Sequence, residues 1–115
     1  MDRTSGKIFV GQRNAQQGIE SINTLTVDVL LADKATPLPS RIDLEEYSMT
    51  LEWGYGTGGA AQLALAILAN VTRSDNYALR HHQWFTLEIV SRFPWNGWQL
   101  SEQEVWDWID EHHPL

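Results

Sequence analysis

The run Gly54-Tyr55-Gly56-Thr57-Gly58-Gly59 places glycines at G-x-G-x-x-G spacing, after a strand-like segment and at the start of a helix-like one. In that setting backbone N–H groups can approach a phosphate at a helix N-terminus, so these six residues are a candidate small-anion site. The rest of a dinucleotide fingerprint is missing. The next helix follows without an intervening strand, and no acidic residue ends a second strand about 20 residues on. Asp75 reads instead as a helix cap. The plainer reading of the glycines is a tight strand-to-helix turn with positive φ.

The histidines come as two doublets, His81-His82 and His112-His113. Neighbours on a helix point about 100° apart, so neither doublet offers two imidazoles on one face. The H-x-x-x-H spacing of a helical metal site is absent. One histidine of each pair is expected at the core edge and the other in solvent. Glu88, seven residues after His81, shares its face as a surface partner. No metal and no cofactor is expected. Nucleophilic catalysis finds no support either. There is no Cys and no G-x-S-x-G elbow, and Glu45-Glu46 are adjacent in a loop rather than set apart as a glycosidase pair. No catalytic residue is nominated, and the chain is read as a non-enzyme.

The acids carry more information. Among 115 residues there are 8 Lys+Arg against 15 Asp+Glu, a formal charge of −7, with no Cys and 6 Trp. This length suits one hydrophobic core. The lack of Cys removes disulfide scaffolds, zinc fingers and iron–sulfur sites. The acid excess argues against direct binding to a nucleic-acid backbone, which needs a basic face. The charge is also uneven. Arg3, Lys7 and Arg13 lie near the start, whereas no Lys or Arg follows Arg92, and Glu102, Glu104, Asp107, Asp110 and Glu111 crowd the end. On a helix Glu104, Asp107 and Glu111 share a side, with Asp110 beside them. The plain reading is a solvated face. The sharper one is an electronegative strip that docks on a basic protein surface. Of the tryptophans, Trp53, Trp84, Trp98 and Trp108 are expected in the core. Trp95 and Trp106 are expected to be partly exposed, where aromatics anchor interfaces. The expected partner-binding set is therefore Trp95, Glu102, Glu104, Trp106, Asp107, Asp110 and Glu111.

These residues need a frame. Residues 1–57 read as mainly β and loops, and residues 58–113 as mainly α, within one domain spanning 1–115. Lys7–Val10, Leu25–Leu31 and Met49–Trp53 are strand candidates by alternation and β-branching. Pro37 and Pro39 end regular structure between them. Ala60, Leu63, Ala64, Ile67, Leu68 and Val71 fall at helical spacing on a helix from about Gly59 to Val71. Leu65, Ala66 and Ala69 make its other sides apolar, so it is expected at the centre of the fold. A second helix runs from Ser74-Asp75 to about Phe93, stopped by Pro94, with Ala78, His82, Phe85, Ile89 and Phe93 inward. Pro94–Trp98 reads as a turn around Asn96-Gly97. A third helix opens with the capping box Ser101-x-x-Glu104 and turns Val105, Trp108, Ile109 and His112 inward. The fold class is thus α+β: a small N-terminal antiparallel sheet of two to four strands packed on about three C-terminal helices. The opening residues lack the apolar run of a signal peptide, and the apolar stretch around Ala60–Ala69 falls short of the roughly 20 residues that span a bilayer. A cytoplasmic chain with no membrane association is expected.

From Glu52 to Leu68 the chain reads EWGYGTGGAAQLALAIL. This resembles a family of small bacterial proteins of unknown function, carried by chromosomes, plasmids and phages, with a core like EWGYGGSGPAQLALAIL. Ser91-Arg92-Phe93-Pro94 and Trp98-Gln99-Leu100-Ser101-Glu102-Gln103-Glu104 extend the likeness, which covers about residues 49–110. The chain departs from the pattern at Thr57 and Ala60, where the family has Gly and Pro. Ala in place of a first-turn Pro costs a helix little. The resemblance supplies no catalytic set. Its mobile-element setting implies a small acidic inhibitor of a bacterial nucleic-acid-processing or defence complex. The leading expectation is therefore a non-enzymatic, acidic protein-binding module for a partner with a basic surface. Two alternatives stand beside it. One is a small-anion or nucleotide-binding domain using the Gly54–Gly59 turn, which a ligand thermal-shift screen would reveal. The other is a structural homo-oligomerisation module, which light scattering would reveal. The sequence leaves the oligomeric state open.

Overall fold

The structure, a computed structural model, describes residues 5–15 and 23–114. Arg3 and the rest of the first four residues, read above for charge and targeting, lie outside the described residues. So does the side chain of His112, expected above to face inward.

Four strands form one antiparallel sheet in the order β3-β2-β1-β4: β1 Ile8–Ala15, β2 Asn23–Leu31, β3 Lys34–Pro37 and β4 Gly97–Ser101. Strand side chains alternate between faces, and the pairing aligns the buried set into rows. Phe9 lies between Val29 and Leu100, and Gly11 between Val27 and Trp98. The helices cover this face: α1 Gly59–Thr72, α2 Asp75–Glu88 and α3 Glu102–His112. The α+β class expected from the sequence is the one observed. Helix α1 is enclosed almost all round, with Leu63, Ala64, Leu65, Ala66, Ile67 and Leu68 fully buried, as its apolar circumference requires.

Several elements differ from their sequence-based expectation. Residues 49–53 are not a strand. Their backbone is satisfied locally, Thr50 N–H by Ser48 Oγ (3.1 Å) and Glu52 N–H by Gly59 O (3.0 Å), so no ladder forms. Two strands take the place of that one. Strand β3 is a short, exposed edge strand after a turn in which Ala32 adopts φ 56°. Pro37 does end it, in a position where an edge strand tolerates the missing N–H. Strand β4 occupies what reads as a turn: Gly97-Trp98-Gln99-Leu100-Ser101 alternates inward at Trp98 and Leu100 and adds to the free side of β1.

Helix α2 stops at Glu88 rather than near Phe93, and a 3₁₀ turn, Val90–Arg92, follows. Pro94 disfavours helical geometry at Phe93, which sits extended at φ −63°, ψ 139°. The Val90 carbonyl is taken by Gly54 N–H and Phe93 N–H, both at 3.2 Å, instead of by a residue one helical turn on. Of the two residues that could cap α2, Ser74 is the cap, its Oγ accepting from Tyr77 N–H, while Asp75, read above as a cap, is the first helical residue. Ser101 with Glu104 forms the complete capping box expected for α3.

The tryptophans need one exchange. Trp53, Trp98 and Trp108 are buried, as expected, and Trp95 is exposed. Trp84, expected in the core, is 53% exposed, because α2 turns Tyr77, Ala78, His82, Phe85 and Thr86 inward and leaves Trp84 on the outer side. Trp106, expected near the surface, is 5% exposed, because α3 buries Val105, Trp106, Trp108 and Ile109 together as one broad face.

Gln62 organises the long connection between β3 and α1. It is fully buried on α1, and all four of its hydrogen-bonding positions meet loop backbone. Its Oε1 accepts from Tyr47 N–H (2.7 Å) and Ser48 N–H (3.3 Å), and its Nε2 donates to Ser40 O (2.6 Å) and Glu45 O (3.1 Å). A buried amide meets its full capacity this way, and the loop is tied to the centre of the fold. Arg41 forks onto Asp43 and reaches Asp75 at the start of α2, which pins the same loop from outside.

Candidate functional site

A groove of about 310 Å³ opens where α2, β4 and α3 meet. Phe85 and Ile89 from α2, Leu100 from β4 and Trp108 from α3 line it with apolar surface. Glu104, Asp107 and Glu111, one face of α3, line it with carboxylates. The aromatic part is fixed from two sides. The Trp108 ring stands edge-on to Phe85 (centroids 5.0 Å apart, 85°), and its Nε1 donates to Glu88 Oε1 at 3.0 Å. Glu104 Oε1 accepts from Ser101 N–H and Oγ, both at 3.1 Å, and Asp107 Oδ1 accepts from the Gln103 amide at 2.8 Å. Neither Glu104 nor Asp107 has a Lys or Arg within ion-pair distance among the described residues. The site therefore joins an apolar floor to uncompensated negative charge, which suits an apolar side chain flanked by cationic ones.

The expected partner-binding residues divide on this geometry. Glu104, Asp107 and Glu111 come together in the groove, and Asp110 is exposed on the same helix. Glu102 is 3% exposed and turned away. Its Oε1 accepts from Ser5 N–H at 2.6 Å and Ser5 Oγ at 3.0 Å, which ties the start of the chain to α3. Glu102 is thus a structural anchor, and the burial of Trp106 likewise removes it from the surface. Trp95 is exposed but belongs to another cluster. The Arg13 guanidinium lies 3.5 Å from its ring centroid, and its carbonyl accepts from Arg13 Nε (3.0 Å) and Trp53 Nε1 (2.9 Å). Phe85, Ile89, Leu100 and Trp108 escaped nomination because their apolar character signals core. Phe85, Leu100 and Trp108 are indeed core by burial, and they line only the floor of the groove.

The Gly54–Gly59 run is a tight turn into α1. Gly54 and Gly58 take φ 88° and 58°, and Gly59 packs so closely on Glu52 that a Cβ there would come within 2.8 Å of the Glu52 Cβ. Tyr55 and Glu52 fold over this end of the helix. Burial first, and the Glu52 carboxylate second, raise the Tyr55 hydroxyl above its ordinary pKa, while the Gly59 amide acts in the opposite direction. An anion arriving at these N–H groups would meet the Glu52 carboxylate. Thr57 and Gly56 instead face α2, across a second cavity.

The histidine doublets resolve as one inner and one outer member at the first pair. His82 is buried and His81 half-exposed. His81 stacks near Tyr77 (4.3 Å) and His113 (5.2 Å), and Trp84 and Trp108 reach His113 at 6.0 and 4.8 Å. Burial, then His113 and Arg80, hold the His81 pKa below its ordinary value. Tyr77 donates to His113 O at 2.6 Å, and burial followed by Asp110 pushes its hydroxyl up to about 12. Among the described residues, no group of three His, Cys, Asp or Glu is placed to hold a metal ion, and no helix is long and apolar enough to cross a membrane.

No curated protein and no solved structure matches the chain. One family model does. It matches residues 9–111, a stretch that takes in the whole groove, the glycine turn and Gln62, and the chain therefore belongs to the family of unknown function DUF6166.

Proposed function

We propose that this protein is a non-enzymatic protein-binding module whose acidic groove receives a basic segment of a partner. One apolar side chain of that segment packs between Phe85, Ile89, Leu100 and Trp108, and neighbouring Lys or Arg residues meet Glu104, Asp107 and Glu111. The observation that carries this reading is the coincidence, in one groove, of an apolar lining and carboxylates, two of which have no Lys or Arg beside them among the described residues. Charge complementarity of this kind steers association and selects the partner. A surface rich in Lys and Arg is what a protein needs to hold nucleic-acid phosphates, so a nucleic-acid-processing or defence protein is the class of partner that fits. The phage and plasmid setting implied by the resemblance points the same way, to an inhibitor acting in the bacterial cytoplasm.

Affinity capture from a bacterial host tests this with the wild type and with Asp107→Lys/Glu111→Lys. Glu104 is spared because it caps α3. The expected outcome is a basic partner that is retained at low salt, released as salt rises, and lost in the double variant. Retention that is indifferent to both salt and charge reversal would overturn the reading.

A further inference from the structure

A second cavity, of about 320 Å³, lies between the start of α1 and the last turns of α2. Thr57, Gly58 and Ala61 line one side, His82, Thr86 and Leu87 the other, and Tyr47 reaches in from the loop that Gln62 holds. His82 is 3% exposed. Its Nδ1 lies 3.2 Å from Ala78 O and 3.0 Å from Leu79 O. Carbonyl oxygens only accept, so Nδ1 carries a proton, and in the tautomer that this fixes Nε2 is the acceptor. That Nε2 is buried and meets no hydrogen-bond partner among the described residues. Buried polar atoms are nearly always bonded, and an unmet one in a folded protein calls for a reason. The neighbouring hydroxyl does not supply it, because Thr86 Oγ1 donates to the His82 carbonyl at 2.7 Å. The Tyr47 ring lies against the imidazole, tilted by 33° with centroids 4.8 Å apart.

The chemistry of these walls selects the ligand. A metal ion would need further ligands, and no group of three His, Cys, Asp or Glu among the described residues provides them. An anion would face the lone pair of Nε2. What remains is a neutral donor: the Ala61 methyl, the Leu87 side chain and the Tyr47 ring give apolar lining, and Thr57, Gln83 and Thr86 add polar groups beside His82. Small-molecule sites have this character, a few placed polar groups within an apolar lining, and they span about 300–1,000 Å³. This cavity lies at the small end of that range, suited to one or two fused rings and not to a nucleotide.

We propose that the cavity between α1 and α2 binds a small planar heteroaromatic molecule whose ring N–H donates to Nε2 of His82. This site is separate from the acidic groove and does not depend on it.

Indole is a suitable probe, and 1-methylindole is its control, with nearly the same shape but no N–H. Both are titrated into ¹⁵N-labelled protein by NMR. Indole is expected to saturate, shifting the Nε2 resonance of His82 and the amides of Tyr47 and Ala61, with 1-methylindole at least tenfold weaker. Ala61→Met fills the cavity with another strong helix former and is expected to abolish binding with the circular dichroism unchanged. His82→Phe keeps a ring but no acceptor, and is expected to bind the two probes equally. Absence of saturation at millimolar indole, equal affinities in the wild type, or undiminished binding by Ala61→Met would each overturn the proposal.

Discussion

Replacing Gln62 by Leu preserves the volume and helix propensity of a buried α1 position while removing every polar contact the side chain makes. Four hydrogen bonds are lost, those from Tyr47 N–H and Ser48 N–H and those to Ser40 O and Glu45 O. A hydrogen bond contributes about 1 kcal/mol net, and a buried group left unpaired costs about 1–3 kcal/mol. The loop lies at the surface, with Glu45 and Tyr47 exposed, so its backbone can regain water once released. That bounds the loss near the sum of the net contributions, about 3–4 kcal/mol, a large share of the roughly 5–15 kcal/mol that holds a domain of this kind together. Gln62→Glu separates the two halves of the contact. The carboxylate still accepts from Tyr47 and Ser48, but faces the two carbonyls it can no longer satisfy, so about half the loss or more is expected. Urea unfolding followed by tryptophan fluorescence reads the stability, with a lowered midpoint at unchanged slope. Amide exchange at Tyr47 and Ser48 reads the loop itself. A Gln62→Leu protein within about 0.5 kcal/mol of wild type, the range of an inconsequential substitution, or one with unaltered exchange at those two amides, would refute the role assigned to Gln62.

Three further outcomes follow from the same geometry. Gly59→Ala forces a Cβ to 2.8 Å from the Glu52 Cβ and 3.0 Å from Thr50 O, so calorimetry is expected to show a loss of about 1–3 kcal/mol. Trp106→Ala is expected to cost about 3–5 kcal/mol by opening a core cavity, while exposed Trp84→Ala costs under about 1 kcal/mol, and denaturant midpoints would show the reverse order if the two burial assignments were exchanged. His81 has a folded-state pKa below its unfolded one, so the unfolded chain takes up the proton first. Its contribution is fully present above the unfolded value near 6.5 and declines as pH falls below it. His81→Gln is expected to flatten stability against pH in that window, and an unchanged profile would contradict the shift.

Much of the helical frame was legible because it rests on local rules. The all-apolar circumference of α1, the Ser74 cap and the Ser101–Glu104 capping box each announce themselves within a few residues. Strand β4 was missed although Trp98 and Leu100 alternate, because Pro94 and Asn96-Gly97 give a strong turn signal and the pairing partner is β1, more than 80 residues earlier. Met49–Trp53 shows the reverse error: its alternation is real, but its hydrogen bonds are taken by Ser48 and Gly59. Of the candidate site, the carboxylates were found from helical spacing, while its apolar walls and the inward turn of Glu102 were not.

The sequence by itself determined the charge, its concentration on α3, the buried character of α1 and the sharp glycine turn before it, because each depends on residue type and short-range periodicity. Only the tertiary structure decided which apolar residues line the groove, why Trp84 and Trp106 exchange places, and that Gln62 and His82 are the polar groups of consequence. Burial and hydrogen-bond satisfaction are properties of what packs against a residue: the partners of Gln62 come from a loop 14–22 residues away, and Tyr47 of the same loop covers His82.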